Sequence, residues 1–130
     1  MAAAMLGRIC LSGEVENLSA EQWDLIQKAL TFYENSCNII KYGITEIYGN
    51  RGKNMRYPTG TQAVVRSMDN EILVVVHSFE NPSDTIEIPV LENAQIVDEF
   101  YNNGIIELKN GKLIINKMEE FSACAVILKK

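Results

Sequence analysis

Residues 61–79 read TQAVVRSMDNEILVVVHSF, two apolar segments joined by Asp69-Asn70. Such a pair between apolar segments is typical of a hairpin turn, because both residue types tolerate a positive φ. The second segment is apolar at every position of Ile72–Val76, whereas a strand with one solvent face alternates apolar and polar residues. We therefore predict antiparallel strands over Thr61–Met68 and Glu71–Phe79, the second central and buried on both faces.

Shorter segments with the same character continue to the end of the chain. Asn110-Gly111 is the strongest hairpin signal in the sequence. Pro89 has no N–H to donate, so its strand is predicted at a sheet edge. The further predicted strands are Thr85–Val90, Ala94–Tyr101, Ile105–Lys109, Lys112–Asn116 and Phe121–Leu128. Seven or eight short strands with frequent turns predict an antiparallel two-sheet β-sandwich over residues 44–130, with residues 47–60 as a loop.

A long helix precedes the sandwich. Ser19 and Gln22 have the spacing of a capping box, which predicts a helix from Ala20 to about Lys41 that stops at Gly43 through a positive φ. Its apolar residues form two adjacent rows: Trp23, Ile26, Leu30, Tyr33, Cys37 and Ile40, and then Leu25, Ala29, Phe32 and Ile39. So wide a stripe predicts partners on more than one side of the helix.

The first residues complete the predicted organisation. Met5–Leu11, MLGRICL, is interpreted as a short buried strand that ends at Ser12-Gly13-Glu14. Residues 1–43 then form a strand–helix segment in front of the sandwich. The fold class is mainly β, α+β overall, with one short strand and one long α-helix ahead of an antiparallel two-sheet β-sandwich.

Charge and hydropathy exclude several classes of function. The net charge is −5, whereas nucleic-acid binding depends on basic residues; the small basic group Arg51, Lys53 and Arg56 is interpreted as a solvated loop. No apolar run approaches the roughly 20 residues that cross a bilayer, and no basic region precedes the first apolar residues. We expect a cytoplasmic protein that contacts neither nucleic acid nor membrane.

The cysteines and the single histidine argue against a metal or cofactor. Cys10, Cys37 and Cys124 lie among apolar residues and are expected to be buried thiols of a cytoplasmic protein. There is no Cys-x-x-Cys pair, and His77 is the only histidine. Alternation places it on the same strand face as Val75, as a core or sheet-face residue.

No set of residues has the pattern of a catalytic site. Nucleophilic catalysis needs a base within reach, and no motif supplies partners for His77. Glycosidic cleavage needs two carboxylates, but Asp98 and Glu99 are adjacent on a strand and point to opposite faces. The other candidates belong to turns or to an exposed link: Asp69, Asp84, Glu119 and Glu120. We expect no catalytic residue, and the chain alone is not predicted to be an enzyme.

Aromatic residues near loops suggest a different kind of site. Pyranose rings stack on exposed aromatic faces, and Tyr48 and Tyr57 lie in the predicted loop. They are the candidate sugar platform, and the alternative is that they seal the edge of a core.

Several short pieces of the sequence carry a resemblance to a known family: MLGR at 5–8, LSG at 11–13, Leu18-Ser19, Phe32-Tyr33, NEILVVVHSFEN at 70–81, KNGKL at 109–113 and AVIL at 125–128. Through these pieces the chain resembles glycoside hydrolases of clan D, and within that clan the α-galactosidases of family 36. Residues 4–34 are similar to the last strand and helix of the barrel, and the rest is similar to the C-terminal antiparallel domain.

The resemblance also implies what this chain lacks. In that family the nucleophile is an Asp after a Lys-Trp/Tyr-Asp stretch on the fourth barrel strand, and the acid/base is an Asp on the sixth. Here Trp23-Asp24 lies inside a capped helix with Gln22 in the lysine's place, so neither role is transferred. In a full-length relative, Arg8, Ser12 and Gly13 would lie at the substrate rim of the barrel, where active sites are built.

The preferred interpretation is therefore a non-catalytic structural domain of an α-galactosidase-like hydrolase of carbohydrate metabolism. The alternatives are a carbohydrate-binding module, with a galactoside as ligand, and an independent protein-interaction domain. Without a barrel around it, some of the helix stripe (Trp23, Leu25, Phe32 and Ile39) should be exposed. We expect a homo-oligomer, formed through the apolar face of helix 20–42 or through the Met5–Leu11 strand.

Overall fold

The structure, a computed structural model, describes residues 1–50, 52, 54, 56–100 and 103–130. Among these residues a single α-helix, α1, spans Ala20–Tyr42, and two short 3₁₀ helices precede it at Ala2–Leu6 and Val15–Asn17. Eight strands follow: β1 Ile44–Asn50, β2 Thr61–Met68, β3 Glu71–Ser78, β4 Thr85–Pro89, β5 Gln95–Phe100, β6 Ile105–Lys109, β7 Lys112–Asn116 and β8 Ala123–Lys129. The prediction of a mainly β fold is confirmed.

The strands form two antiparallel sheets, as the turn pattern predicts. The larger sheet has the order β1-β2-β3-β8-β5 and the smaller one β4-β7-β6. β3 lies at the centre of the larger sheet, and β4, which carries Pro89, is an edge strand. Both placements confirm the sequence predictions, because an uninterrupted apolar strand needs cover on both faces and a proline cannot donate within a ladder.

The inner face of the larger sheet packs against the smaller sheet. Alternate residues of β3, such as Val74, contribute to a buried cluster with residues of β2, β4, β7 and β8. Ile88, Leu113 and Leu128 of this cluster are completely buried. This is the sandwich core, and its residues follow the strand alternation of the sequence.

The outer face of the larger sheet is covered by α1 and by the first 3₁₀ helix. Leu73 and Val75 of β3 share a second buried cluster with Phe32 and Ile39 of α1 and with Met5. Met5 is fully buried and Phe32 retains 1% exposure. Residues 1–43 therefore supply the cover for this face of the sandwich.

The two ends of α1 are fixed in different ways. The Ser19 Oγ accepts the Gln22 N–H at 3.2 Å and the Gln22 Oε1 accepts the Ser19 N–H at 2.8 Å, which confirms the capping box. The helix ends before Gly43, but the predicted positive φ is wrong, since its φ is −67°. Glycine is required by close approach instead: a Cβ there would lie 2.5 Å from the Ile39 carbonyl oxygen.

Arg66 ties the helical segment to the sheet. From β2 its guanidinium donates to the carbonyl oxygens of Ile40, in the last turn of α1, and Leu6, at the end of the first 3₁₀ helix. The last carbonyls of a helix have no partner within it, so a cation that donates to them satisfies and stabilises that end. One partly buried side chain thus holds both elements of the outer cover.

The predicted strand at Met5–Leu11 is wrong. Residues 2–6 form a 3₁₀ helix whose turns are closed locally, with the Ala4 N–H donating to the Met1 carbonyl at 2.9 Å. A strand needs an adjacent strand to complete its hydrogen bonds, whereas a 3₁₀ turn completes its own and still buries Met5. Leu11, predicted to be buried, is 42% exposed.

The predicted loop at residues 47–60 begins too early. β1 pairs with β2 over seven residues up to Asn50, so Ile47 and Tyr48 belong to a strand. Glycine and asparagine disfavour a strand, but the backbone hydrogen bonds that β1 forms with β2 along its whole length stabilise the strand in spite of them. Of the basic group predicted there, Arg51 and Lys53 lie outside the described residues, as does Tyr101 at the predicted end of β5.

Candidate functional site

The residues expected at a substrate rim lie on the surface. Arg8, Ser12 and Gly13 are all exposed on the segment that joins the two 3₁₀ helices. Gly13 has a φ of 98°, a conformation that favours glycine, so its role in this chain is to turn the backbone.

The two tyrosines of the candidate sugar platform have different surroundings. Tyr48 is half-buried against the sandwich core, and its hydroxyl donates to Glu46 at 3.2 Å. Its pKa is raised by desolvation and by the Glu46 carboxylate. Tyr57 is 63% exposed, with the Arg56 guanidinium 5.7 Å from its ring centroid. Among ring contacts between described residues, none joins the two tyrosines.

His77 lies on the outer face of β3, as the alternation predicts. Its ring stacks on Phe79 with centroids 6.3 Å apart and an interplanar angle of 9°. Burial lowers its pKa below the ordinary value, and the positive chain terminus lowers it further.

The carboxylates singled out in the sequence are dispersed. Asp98 pairs with Ile127 and Glu99 with Val126, so the two point to opposite faces, as predicted. Glu120 accepts the Asn81 N–H at 2.9 Å, and Glu119 accepts from Asn103 at 3.2 Å. In the residues with described positions, no three His, Cys, Asp or Glu side chains are grouped so as to hold a metal ion.

The expectation of three buried thiols is wrong for two of them. Cys10 and Cys37 are exposed, and Cys124 is buried. Cys10 belongs to the segment that does not form a strand, and Cys37 lies on the side of α1 that is turned away from the sheet. Cys124 is in the sandwich core, where burial, helped by Glu99, raises its pKa to about 12.

One side of α1 carries apolar residues that the fold does not cover. We call Trp23, Leu30 and Cys37 the α1 flank; all three are exposed, Trp23 and Leu30 by 38% each. They are seven residues apart, and Ile26, Tyr33 and Ile40 follow each of them by three. The spacing is that of a and d positions, but Ile26 and Ile40 are buried within the chain, so the seven-residue row of Trp23, Leu30 and Cys37 is the part that a second helix can contact.

The expectation of exposed stripe residues is correct for only some of them. Trp23 is exposed and Leu25 is half-buried, but Phe32 and Ile39 are buried at 1% each. The row of Leu25, Ala29, Phe32 and Ile39 therefore faces the sheet. The other row is divided, because Ile26 and Ile40 are buried while Trp23, Leu30 and Cys37 are exposed.

On its opposite side α1 forms a groove with β5. The groove has a volume of about 570 Å³, within the range of small-molecule sites. Its lining residues are Asp24, Leu25, Gln27, Lys28, Thr31 and Phe32 of α1 and Asp98, Glu99 and Phe100 of β5. We call this the α1–β5 groove.

A β-bulge in β5 places the strand residues of this groove. Ile96 pairs with Leu128 and Asp98 with Ile127, so Val97 is an extra residue between them. Without the bulge, Asp98 and Phe100 would turn to the inner face, because a one-residue shift exchanges the two faces of a strand. The sequence analysis predicts neither the bulge nor the groove. The one sequence feature that indicates the bulge is the pair of adjacent polar residues at 98 and 99, which interrupts the alternation of apolar and polar residues in β5.

Comparison of the chain with protein-family models, with curated proteins and with solved structures found no match. Among the residues that the structure describes, no helix has both the length and the apolar character needed to cross a membrane.

Proposed function

We propose that this chain is a non-catalytic accessory domain, similar to the C-terminal domain of α-galactosidase-like hydrolases, that acts through protein–protein contact. The observation that supports this most is the α1 flank, an apolar stripe on a long helix that the fold itself leaves uncovered. Exposed apolar surface of this kind is typical of interaction sites. The three free thiols support a cytoplasmic location.

The partner of the α1 flank in this proposal is a second copy of the chain. Trp23 and Cys37 are separated by about 21 Å along the helix axis, at 1.5 Å per residue. A second copy of α1 presents the same spacing, so a two-fold axis through the flank makes the two surfaces complementary to each other. Glu34 and Lys41, next to the stripe and exposed, would lie at the border of such a contact.

The test is the molar mass of the chain by light scattering over a wide range of concentrations. The proposal predicts a mass near twice 14.6 kDa at high concentration and a monomer for Leu30→Glu, which places a charge in the stripe. Leu108→Glu, a matched change at an exposed leucine of β6, should leave the dimer intact. A monomer at every concentration would contradict the proposal.

Galactoside binding is the second candidate function. The observation in its favour is Tyr57, whose ring is exposed and has a cation beside it. An exposed aromatic ring offers a face on which a sugar can stack. Tyr57→Ala should then abolish saturable binding of galactose while leaving the oligomeric state unchanged.

A further inference from the structure

We infer that the α1–β5 groove binds a neutral, polyhydroxylated ligand the size of a mono- or disaccharide. The inference rests on the chemistry of the groove and is independent of the oligomer and of Tyr57. Its volume, its apolar floor and the partners of its charged groups carry the argument.

The floor of the groove is apolar and fixed. Phe32 and Phe100 line it with ring centroids 5.9 Å apart, and they are 1% and 3% exposed. Leu25, which is half-buried, continues this surface at one end. The C–H face of a sugar ring or a polyol chain is apolar and can pack on Leu25, because the nearly complete burial of both phenylalanine rings leaves little of them to contact.

The walls carry a mixture of donors and acceptors. Along α1 they are supplied by Asp24, Gln27, Lys28 and Thr31, whose spacing of three and four residues keeps them on one side of the helix. The facing wall supplies Asp98, which the bulge turns towards the helix. Hydroxyl groups both donate and accept, so a polyol can use every group of this set.

The carboxylate of Asp98 is held in place before any ligand binds. Its Oδ2 accepts the Asn35 side-chain N–H at 3.0 Å and its Oδ1 accepts the Glu99 backbone N–H at 2.9 Å. An ionised carboxylate has about four lone-pair sites, so each oxygen can still accept a ligand hydroxyl. A fixed acceptor lowers the entropic cost of binding.

The charged groups of the walls already have partners. The Lys28 Nζ lies 2.7 Å from the Asp24 Oδ2, and Asp98 already accepts the two N–H groups named above. A charged ligand would compete with these contacts, whereas a hydroxyl adds to them. The carboxylates disfavour an anion, and Asp98, whose two described partners are neutral N–H groups, can also accept a sugar hydroxyl. A cation is the competing ligand that the test has to distinguish from a sugar.

The test is a titration of the full chain with glucose, galactose and lactose, followed by amide chemical shifts. The inference predicts saturable shifts at Thr31, Glu99 and Phe100. Thr31→Val and Asp98→Asn should each weaken the affinity roughly threefold to tenfold, the value of one or two hydrogen bonds. The matched variants Thr45→Val and Asp84→Asn, at exposed positions on β1 and in the turn before β4, should leave it unchanged.

Far-UV circular dichroism shows whether Thr31→Val or Asp98→Asn disturbs the fold. Because the two residues lie on different walls of the groove, the other variant still tests the inference if one of them does. The inference is overturned if no sugar gives saturable shifts, or if the shifts centre on Tyr57. It is also overturned if only a lysine-rich peptide shifts the groove amides. None of these results affects the molar mass, so this inference and the oligomer proposal fail separately.

Discussion

The inner and outer faces of the five-stranded sheet are both apolar, but they are covered in different ways. The inner face is closed by three strands, of which β6 and β7 form a hairpin, whereas β4 pairs with β7 although β5 and β6 lie between them in the chain. The outer face is closed by one helix and a 3₁₀ turn from the start of the chain. The alternation within each strand therefore accounts for the apolar side of the first cover, whereas no comparable pattern indicates which elements form the second.

The two covers also differ in the surface that they leave exposed to solvent. A strand layer buries one side of every strand and exposes the other in a regular way. A single helix across a sheet buries one stripe and leaves two sides, here the apolar α1 flank and the polar α1–β5 groove. The α1 flank and the α1–β5 groove therefore both belong to the outer cover, unlike Tyr57, which lies between β1 and β2.

The largest expected effect comes from removing the centre of the outer cover. Phe32→Ala should lower the free energy of unfolding by about 3–5 kcal/mol, because a buried ring is lost and a cavity is left. Urea denaturation measures this, and Phe121→Ala, at a phenylalanine that is 74% exposed, should change it by less than about 0.5 kcal/mol. A cost below about 1 kcal/mol for Phe32→Ala would mean that α1 is peripheral to the fold.

The next effect concerns the attachment of the outer cover. Arg66→Met should cost about 2–3 kcal/mol, because the carbonyls of Ile40 and Leu6 lose a charged donor. Hydrogen exchange should accelerate in the last turn of α1 while β3 stays protected. Arg8→Met, at an exposed position, is the control. If hydrogen exchange accelerated equally in the last turn of α1 and in β3, Arg66 would stabilise the whole fold and not only the attachment of the helix.

A smaller effect is expected at β1, the edge strand of the larger sheet. Gly49, on β1, has a φ of 81°, and a Cβ there would lie 2.3 Å from the Thr61 carbonyl oxygen. Gly49→Ala should therefore cost at least about 1 kcal/mol, while Thr45→Ala on the same strand stays within about 0.5 kcal/mol. Thermal unfolding gives both values, and a neutral Gly49→Ala would show that β1 relaxes freely.

The smallest effect is a pH dependence that belongs to the outer face. His77 has a folded-state pKa below 6.5, so under acid conditions the unfolded chain binds the proton first. Its contribution to stability is constant above pH 6.5 and is lost as the pH falls from 6.5 towards the folded-state pKa. His77→Gln should reduce the loss of stability between pH 7.5 and pH 5. An identical loss in both proteins would exclude His77 as its source.

The inner face could be predicted from sequence because its signals are local. Asp69-Asn70 and Asn110-Gly111 fix two hairpins, and the alternation of β2, β6 and β7 gave their bounds correctly. Alternation also assigned the two faces of β3. Each of these inferences needs only a few neighbouring residues.

The outer face and the groove could not be predicted in the same way. The contacts of Arg66 join residues 26 and 60 positions apart, and no local pattern encodes them. The β5 bulge reverses the faces of Asp98 and Phe100 through pairing with β8. The segment at Met5–Leu11 looked like a strand because apolar content alone does not reveal whether a neighbouring strand is present.

The central claim is that the α1 flank is the contact surface between two copies of the chain. The most direct measurement is the fluorescence of Trp23, the single tryptophan of the chain, during dilution. If the claim is correct, dilution moves the emission maximum to longer wavelength and increases quenching by acrylamide, and Leu30→Glu shows the dilute-state spectrum at every concentration. A spectrum and quenching that do not change with concentration, and that are the same in Leu30→Glu, would contradict it.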